Sequence, residues 1–254
     1  MHNSFEKHNG LVEISVILPI YNEEGNIEPL VHEIVQALEP LGKSFEIICV
    51  DDGSKDHGLE VMVSLRQKDP RIVVLSHRRN FGQSAAQATG FRYAQGRIFA
   101  TLDADRQNDP ADLPKLIEQL ANADCVCGVR RKRQDNWLRK VASRIGNGFR
   151  NWLTGDRIRD SGCTLRVIKR EALTEIPMFN GMHRFLPTLL RFQGRQVVEL
   201  EVNHRPRVWG VSKYGIIKRA MRGLLDCLAI RWWKWRCFAQ ERCIANPNNL
   251  QYRD

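Results

Sequence analysis

Arg97-Ile98-Phe99-Ala100-Thr101-Leu102-Asp103-Ala104-Asp105-Arg106-Gln107-Asn108-Asp109-Pro110 is the stretch from which the rest of the chain is placed. Ile98 to Leu102 is short and almost wholly apolar, with the β-branched and aromatic content of a strand buried on both faces. Asp103 and Asp105 follow, one residue apart. If strand geometry persists, alternate side chains point the same way and the two carboxylates face one spot. Asp109-Pro110 reads as a helix cap followed by proline at the first helical position, and predicts a helix from near Ala111. Ligands of open α/β sheets gather at the carboxyl ends of strands. Two carboxylates there repel each other unless a cation lies between them. A hard divalent ion, Mg²⁺ or Mn²⁺, suits them, with open positions for phosphate oxygens. Asp-x-Asp alone also describes a pair of exposed turn carboxylates; the strand before it and the capped helix after it favour a site.

Outward from that stretch, strands and helices alternate. Ile14 to Ile20 is a strand, Tyr21 to Gly25 a polar loop, and Asn26 caps a helix running to about Leu41. Phe45 to Val50 is a second strand, ending in Asp51-Asp52-Gly53-Ser54, and Asp56 opens the next helix. Ile72 to Ser76 is a third strand, with a loop through Asn80-Phe81-Gly82-Gln83-Ser84 into an alanine-rich helix. The strand before Asp103 is the fourth, and Ala123 to Val129 the fifth. This order predicts an α/β fold: a mostly parallel sheet with helices on both faces. Four polar or glycine-containing loops then line one edge, where a nucleotide would lie. The first strand is not followed by Gly-x-Gly-x-x-Gly, and the sequence has no Walker lysine loop, which argues against a dinucleotide-binding or P-loop enzyme.

The 254 residues are 43% hydrophobic, enough for one large α/β domain and an extension. A formal net charge of +10 points to anionic partners: nucleic acid, an anionic membrane surface or a phosphorylated substrate. The seven cysteines (Cys49, Cys125, Cys127, Cys163, Cys227, Cys237, Cys243) are scattered and odd in number. Cys125 and Cys127 face the same way in an apolar run but lack the second pair a zinc site needs, so reduced thiols in a cytosolic protein are expected. The N-terminal Met1 to His8 is polar, unlike a signal peptide. No window supplies the ~18 consecutive apolar residues of a membrane span.

Val16-Ile17-Leu18-Pro19-Ile20-Tyr21-Asn22-Glu23-Glu24, Val50-Asp51-Asp52-Gly53-Ser54 and Leu102-Asp103-Ala104-Asp105-Arg106-Gln107 together resemble the family-2 glycosyltransferases with the GT-A (Rossmann-like) fold. Asp160-Ser161-Gly162-Cys163-Thr164-Leu165-Arg166 and Arg205-Pro206-Arg207-Val208-Trp209-Gly210-Val211-Ser212-Lys213 are similar to the dolichol-phosphate or polyprenyl-phosphate mannose synthase branch. The resemblance covers roughly residues 12 to 230. It implies an inverting transferase moving a hexosyl group from GDP-mannose or a UDP-sugar to a polyprenyl (undecaprenyl or dolichyl) phosphate, with Mg²⁺ or Mn²⁺.

By that resemblance Pro19, Tyr21 and Glu23 hold the nucleoside; a tyrosine can stack on a base, or here only anchor the loop. Asp52 binds base or ribose, while Asp51 instead caps the following turn. Asp103 and Ala104 meet the nucleotide, Asp105 is catalytic, and Asp103, Asp105 and Gln107 hold the metal. Gly82 and Gln83 belong to the same edge, where the glycine either meets the donor or only allows the turn. Arg130, after the fifth strand, meets the donor side. Arg144, on a basic helix from Trp137 to Leu153 that also carries Arg139, Lys140 and Arg150, meets the acceptor phosphate. Arg207 and Lys213 match phosphate-binding catalytic positions on a loop expected to fold over the diphosphate. A phosphate monoester is largely ionised at neutral pH, with a second pKa near 6, so it needs positioning more than a general base. His183 and His204 are read as structural or as supports behind the site residues, not as bases.

Tyr214 to Trp235 places Ile217, Met221, Leu224, Leu228 and Trp232 on one helical face and ends in Arg231-Trp232-Trp233-Lys234-Trp235-Arg236. Tryptophan with Lys/Arg is the composition of an interfacial anchor, the alternative being a helix packed on the core. The expected division is a glycosyltransferase domain over 1–213, an amphipathic helix at the membrane interface over 214–236 and a polar tail over 237–254. The expected location is cytoplasmic, peripheral on the cytoplasmic membrane face, held by the helix itself or by a separate integral-membrane protein. Two other readings compete. One keeps the fold but moves sugar to a saccharide or protein hydroxyl. The other is a nucleic-acid-binding module, disfavoured because a carboxylate-lined edge repels phosphate without metal; nucleic acid is therefore not expected as a partner.

Overall fold

A computed structural model describes residues 12–131, 137–206 and 216–236, with side chains of the fifth and seventh helices from Gly146 and Gly223 onward. Seven strands form one sheet: β1 (Ile14–Ile20), β2 (Phe45–Asp51), β3 (Ile72–Ser76), β4 (Ile98–Thr101), β5 (Cys125–Arg130), β6 (Arg166–Lys169) and β7 (Val197–Val202). Their spatial order is β3-β2-β1-β4-β6-β5-β7. β1 pairs in parallel with β2 and β4, β2 with β3, and β5 with β7; β6 runs antiparallel to both its neighbours. The mostly parallel sheet is as the alternation predicts. β6 and β7 extend it beyond the five strands expected, because the Asp160 to Arg166 motif leads into a reversed strand wedged between β4 and β5.

The helices are α1 (Glu24–Leu38), α2 (Gly58–Lys68), α3 (Gln83–Tyr93), α4 (Leu113–Gln119), α5 (Trp137–Thr154), α6 (Leu186–Phe192) and α7 (Ile216–Arg236). Strand alternation sends each face of the sheet to its own apolar layer. Val16, Leu18, Ile20, Ile47 and Cys49 join Leu30 and Ile34 of α1, Met62 of α2 and Leu116 of α4. Ile17, Ile48, Val50 and Phe99 face the other way, onto Phe91 of α3, Leu153 of α5, Leu189 of α6, and Cys227 and Ile230 of α7. At ~1.5–3 kcal/mol for each fully buried Leu, Ile or Val, these two layers are the main stabilising term of the fold. The five cysteines among the described residues are buried free thiols. Burial pushes Cys49 and Cys163 up to about 12, so both stay protonated and unreactive.

The start of α1 differs from expectation. α1 begins at Glu24, and Asn26 lies inside its first turn, not at its cap. The reason is tertiary: Asp56 Oδ2 accepts the Glu24 N–H at 3.0 Å, while Asp56 Oδ1 accepts the Gly58 N–H at 3.1 Å. One carboxylate in the β2–α2 loop therefore satisfies the first turns of two helices. Asp109 behaves as predicted: its side chain accepts the Ala111 N–H at 3.1 Å, and a 3₁₀ turn over Pro110–Asp112 leads into α4.

A carboxylate turn at the sheet edge

Because β1, β2, β3, β4 and β5 all point the same way, their carboxyl ends share one edge. The loops there are laced together. The Asn22 N–H donates to Ser54 Oγ at 3.0 Å, and the Lys55 N–H to Asn22 Oδ1 at 2.7 Å. The His57 N–H donates to Glu24 Oε2 at 2.8 Å. Pro19 and Tyr21 lie half-buried on this ledge, and Glu23 is buried, its Oε2 accepting from Asn26 Nδ2 at 2.8 Å.

The two aspartates after β2 divide their work. Asp51 Oδ1 accepts the Ser54 N–H at 2.9 Å, the capping role anticipated for it. Asp52 is 3% exposed and braces the β3–α3 loop: it pairs with His77 Nδ1 at 2.8 Å and accepts the Phe81 N–H at 2.9 Å and the Gly82 N–H at 2.7 Å. Gly53 allows this close approach. With φ at 70°, it faces the Arg79 backbone, and an added Cβ would fall 2.5 Å from the Arg79 carbonyl carbon. Gly82 is needed for conformation alone, at φ 94°, since a Cβ there would meet nothing nearer than 3.9 Å.

The acidic pair sits on a turn. β4 ends at Thr101, so strand alternation does not govern Asp103 and Asp105 as the sequence suggested. Leu102 and Ala104 bury in the apolar layer and anchor the turn from beneath. Arg106 takes a left-handed backbone, φ 58°, at a cost of roughly 1–2 kcal/mol for a residue with a Cβ. Asp105, 8% exposed, accepts the Gln107 N–H through Oδ1 at 3.1 Å and closes the turn. Gln83 at the start of α3 donates from Nε2 to Asp103 Oδ1 at 2.6 Å, so Gln83 is brought to the acidic turn. The Gln107 side chain is half-buried, and its backbone oxygen accepts the Arg205 N–H at 2.9 Å.

Among the described residues no group of three or more His, Cys, Asp and Glu forms a closed metal cage. Two carboxylates held at a strand edge, with an amide two residues on, are instead a hard-oxygen donor set that fits an open Mg²⁺ or Mn²⁺ site completed by phosphate oxygens.

Among the described residues beyond the acidic turn, several arginines are committed to the protein. Arg130, at the end of β5, grips Asp160 with Nε and Nη2 at 2.7 Å each, a two-pronged pair. Arg150, one of the cations of the basic helix, is buried. It packs 5.1 Å over the Phe185 ring and faces Asp156, which also takes Arg191 Nη1 at 2.7 Å. Arg166 is buried and donates to the carbonyls of His183 and Cys163. His183 stands against α3. Ser84 Oγ accepts the Gly181 N–H at 3.0 Å and lies 2.6 Å from His183 Nδ1, within hydrogen-bond reach of the ring. His204 is half-buried beside Asn108, with which it forms an isolated bridge. Arg207 and Lys213 lie outside the described residues, and the Arg144 side chain is likewise not described.

Ser84 and Arg106 lie in loops the sequence assigns to this edge, without a role of their own, whereas Glu33 and Arg205 were missed as parts of it. Arg205 lay inside a quoted motif and could have been found there. Glu33 gave no signal, being one more polar residue on an amphipathic helix.

On α7 the apolar face is not the one expected. Leu224 packs on the core and Trp233 stacks with Phe192 at 6.5 Å, while Leu225, Leu228, Trp232 and Trp235 are exposed. The side chains of Ile217 and Met221 lie outside the described set. Phe149 and Trp152 are exposed on α5, which is joined to α7 by Arg231 Nη1 donating to the Leu153 carbonyl at 3.0 Å. Among the described residues no helix is long and apolar enough to cross a membrane.

Residues 15–177 match the glycosyl transferase family 2 model. The chain is 36% identical over 219 residues to the undecaprenyl-phosphate 4-deoxy-4-formamido-L-arabinose transferase of Edwardsiella ictaluri, covering 85% of this chain and 67% of the relative. It is 35% identical to the enzyme of the same name from Proteus mirabilis, covering 89% and 70%. Among solved structures it is similar to glucosyl-3-phosphoglycerate synthase from Mycobacterium tuberculosis with Mn²⁺, UDP and phosphoglyceric acid: TM-score 0.66 at 19% identity, covering 85% of this chain and 78% of that one. It is also similar to a mannosyltransferase from Pyrobaculum calidifontis with GDP-mannose and Mn²⁺, at TM-score 0.59 and 18% identity, covering 91% and 78%. At those identities the structural likeness establishes the GT-A fold.

Proposed function

The chain belongs to glycosyl transferase family 2 and is a glycosyltransferase, and from that premise we propose that it moves a glycosyl group from a nucleotide sugar to the phosphate of a polyprenyl phosphate at a membrane surface. The observation that carries this reading is the acidic turn at the carboxyl edge, fastened to α3 by Gln83 and to the chain leading into Arg207 by Arg205. The names of the curated relatives support undecaprenyl phosphate as acceptor. They also widen the sugar from the expected hexose to a substituted pentose.

In this reading Tyr21, Glu23, Asp52 and Pro19 border the nucleoside, and Asp103, Asp105 and Gln107 hold Mg²⁺ or Mn²⁺. Bound there, the cation neutralises charge on the departing nucleoside diphosphate. The acceptor phosphate attacks the anomeric carbon in line and inverts it. Its oxygen is already ionised near neutral pH, so no side chain has to remove a proton. What the protein supplies is alignment and positive charge for two anionic groups held close. Arg130 and Arg150 are neutralised internally by Asp160 and Asp156, which leaves that work to Arg144, Arg207 and Lys213. The exposed Trp152, Trp232 and Trp235, beside Lys234 and Arg236, suit the headgroup layer of an anionic bilayer, on the cytoplasmic face.

The test is a panel of GDP- and UDP-sugars incubated with undecaprenyl phosphate, membranes and Mn²⁺. One donor should yield a lipid-linked product labile to mild acid. A panel in which sugar reaches only saccharide or protein hydroxyls would sink the reading.

A further inference from the structure

Glu33 stands on α1, far in sequence from both groups it holds. Its Oε1 accepts from Arg106, the left-handed residue of the acidic turn. Its Oε2 accepts from Arg205 Nη1 at 2.6 Å, and Arg205 Nη2 reaches Asp109 Oδ1 at 2.6 Å. Main-chain contacts run in parallel: the Arg205 N–H donates to the Gln107 carbonyl at 2.9 Å, and Asn108 bridges His204. The turn bearing Asp103 and Asp105 and the segment leading into Arg207 are thus one clamped unit. A residue with a Cβ persists at positive φ only where its surroundings over-determine it, and such positions concentrate at functional sites. The carboxyl is also kept ionised. Burial raises its proton affinity, but the hydrogen bonds from Arg106 and Arg205 outweigh that and hold it below the usual glutamate value.

We propose that Glu33 is a positioning residue for the divalent-cation site, fixing the Asp105 turn through Arg106 and coupling it to the root of the 207–213 segment through Arg205. The inference rests on the cation reading of Asp103 and Asp105 given above. Without Glu33 the left-handed Arg106 loses its side-chain tether, the turn relaxes and the two aspartates no longer hold one geometry.

The experiment follows Mn²⁺ binding to the full chain by the electron paramagnetic resonance of free Mn²⁺, in the presence of UDP and, separately, of GDP. Parent, Glu33→Gln, Glu33→Ala and Asp69→Asn are compared, with thermal melting alongside. Asp69 is the control: it pairs with Arg71 at 2.8 Å just before β3, at the opposite edge of the sheet. Glu33→Ala should raise the Mn²⁺ Kd about tenfold, the lower end of what loss of an outer-shell partner costs. Asp69→Asn should lower Tm and leave the Kd at the parent value. If Glu33→Ala fails to fold, Glu33→Gln decides, with an expected rise of about threefold. Binding by the folded Glu33 variant within about twofold of the parent, or an equal loss in Asp69→Asn, overturns the positioning role. A parent that binds no Mn²⁺ with either nucleotide overturns the cation reading and this inference with it.

Discussion

The half of the molecule that ends at the acidic turn and the half that runs from β5 to α7 are held together by different chemistry. In the first, carboxylates and hydroxyls accept backbone N–H groups from neighbouring loops: Asp51 from Ser54, Asp52 from Phe81 and Gly82, Asp56 from Glu24 and Gly58. In the second, arginines are paired with acids or carbonyls: Arg130 with Asp160, Arg150 and Arg191 with Asp156, Arg166 with two carbonyl oxygens. The first arrangement gathers negative charge at an edge and calls for a cation. The second spends positive charge on architecture, so Arg130, Arg150 and Arg191 are committed to protein acids and not to phosphate.

The largest effect expected from this contrast is at the edge. Asp105→Ala should lower transfer by roughly 10³-fold or more with Tm near that of the parent, and excess chelator should do the same to the parent. Full activity of the variant in chelator would remove the metal from the account. On the other side, Asp156→Ala strands two arginines and should cost about 3–5 kcal/mol in urea unfolding. Burial raises the Asp156 carboxyl, but the Thr188 and Arg191 hydrogen bonds outweigh this and hold it below the usual aspartate range. Its stabilising contribution is therefore complete above the unfolded value near ~3.9 and disappears as pH falls through the lower folded value. Asp156→Asn should flatten that acid limb; an unchanged acid midpoint would show that another carboxylate governs it.

A smaller effect separates the two faces of α7. Replacing Trp152, Trp232 and Trp235 by serine should weaken sedimentation with anionic vesicles about tenfold and leave Tm unchanged, since all three are exposed. The parent's binding should fade with added salt as the cations are screened, each contributing about 1 kcal/mol near the surface. Trp233→Ser should do the reverse, lowering Tm through its lost packing on Phe192 with little change in vesicle binding. Equal vesicle binding by the triple variant would mean that the exposed aromatics do not hold a bilayer.

The same contrast explains what could be read from the sequence. β1 and β3 fall on the residues the apolar runs delimit, and the Asp109-Pro110 cap is where it was expected, because each is set by neighbours a few residues away. β6 was missed because four residues of strand carry too little pattern, and its reversed direction is decided by β4 and β5 on either side. Asn26 reads as a cap in the sequence because the partner of the Glu24 N–H, Asp56, is supplied from across the fold. The burial of Arg150 has no signal in the sequence for the same reason: Asp156 and Phe185 lie beyond its own helix. At the site, the carboxylate pair and Gln83 were legible, whereas the Glu33 tether depends on residues 172 positions apart.

The reaction proposed here turns on phosphate, not a hydroxyl, being the acceptor. The measurement is initial transfer rate to undecaprenyl phosphate against undecaprenol at matched concentration in the same detergent, with Mn²⁺ and the donor the enzyme accepts. The account predicts rapid transfer to the phosphate and no product on the alcohol above background. Equal rates on the two acceptors would contradict it.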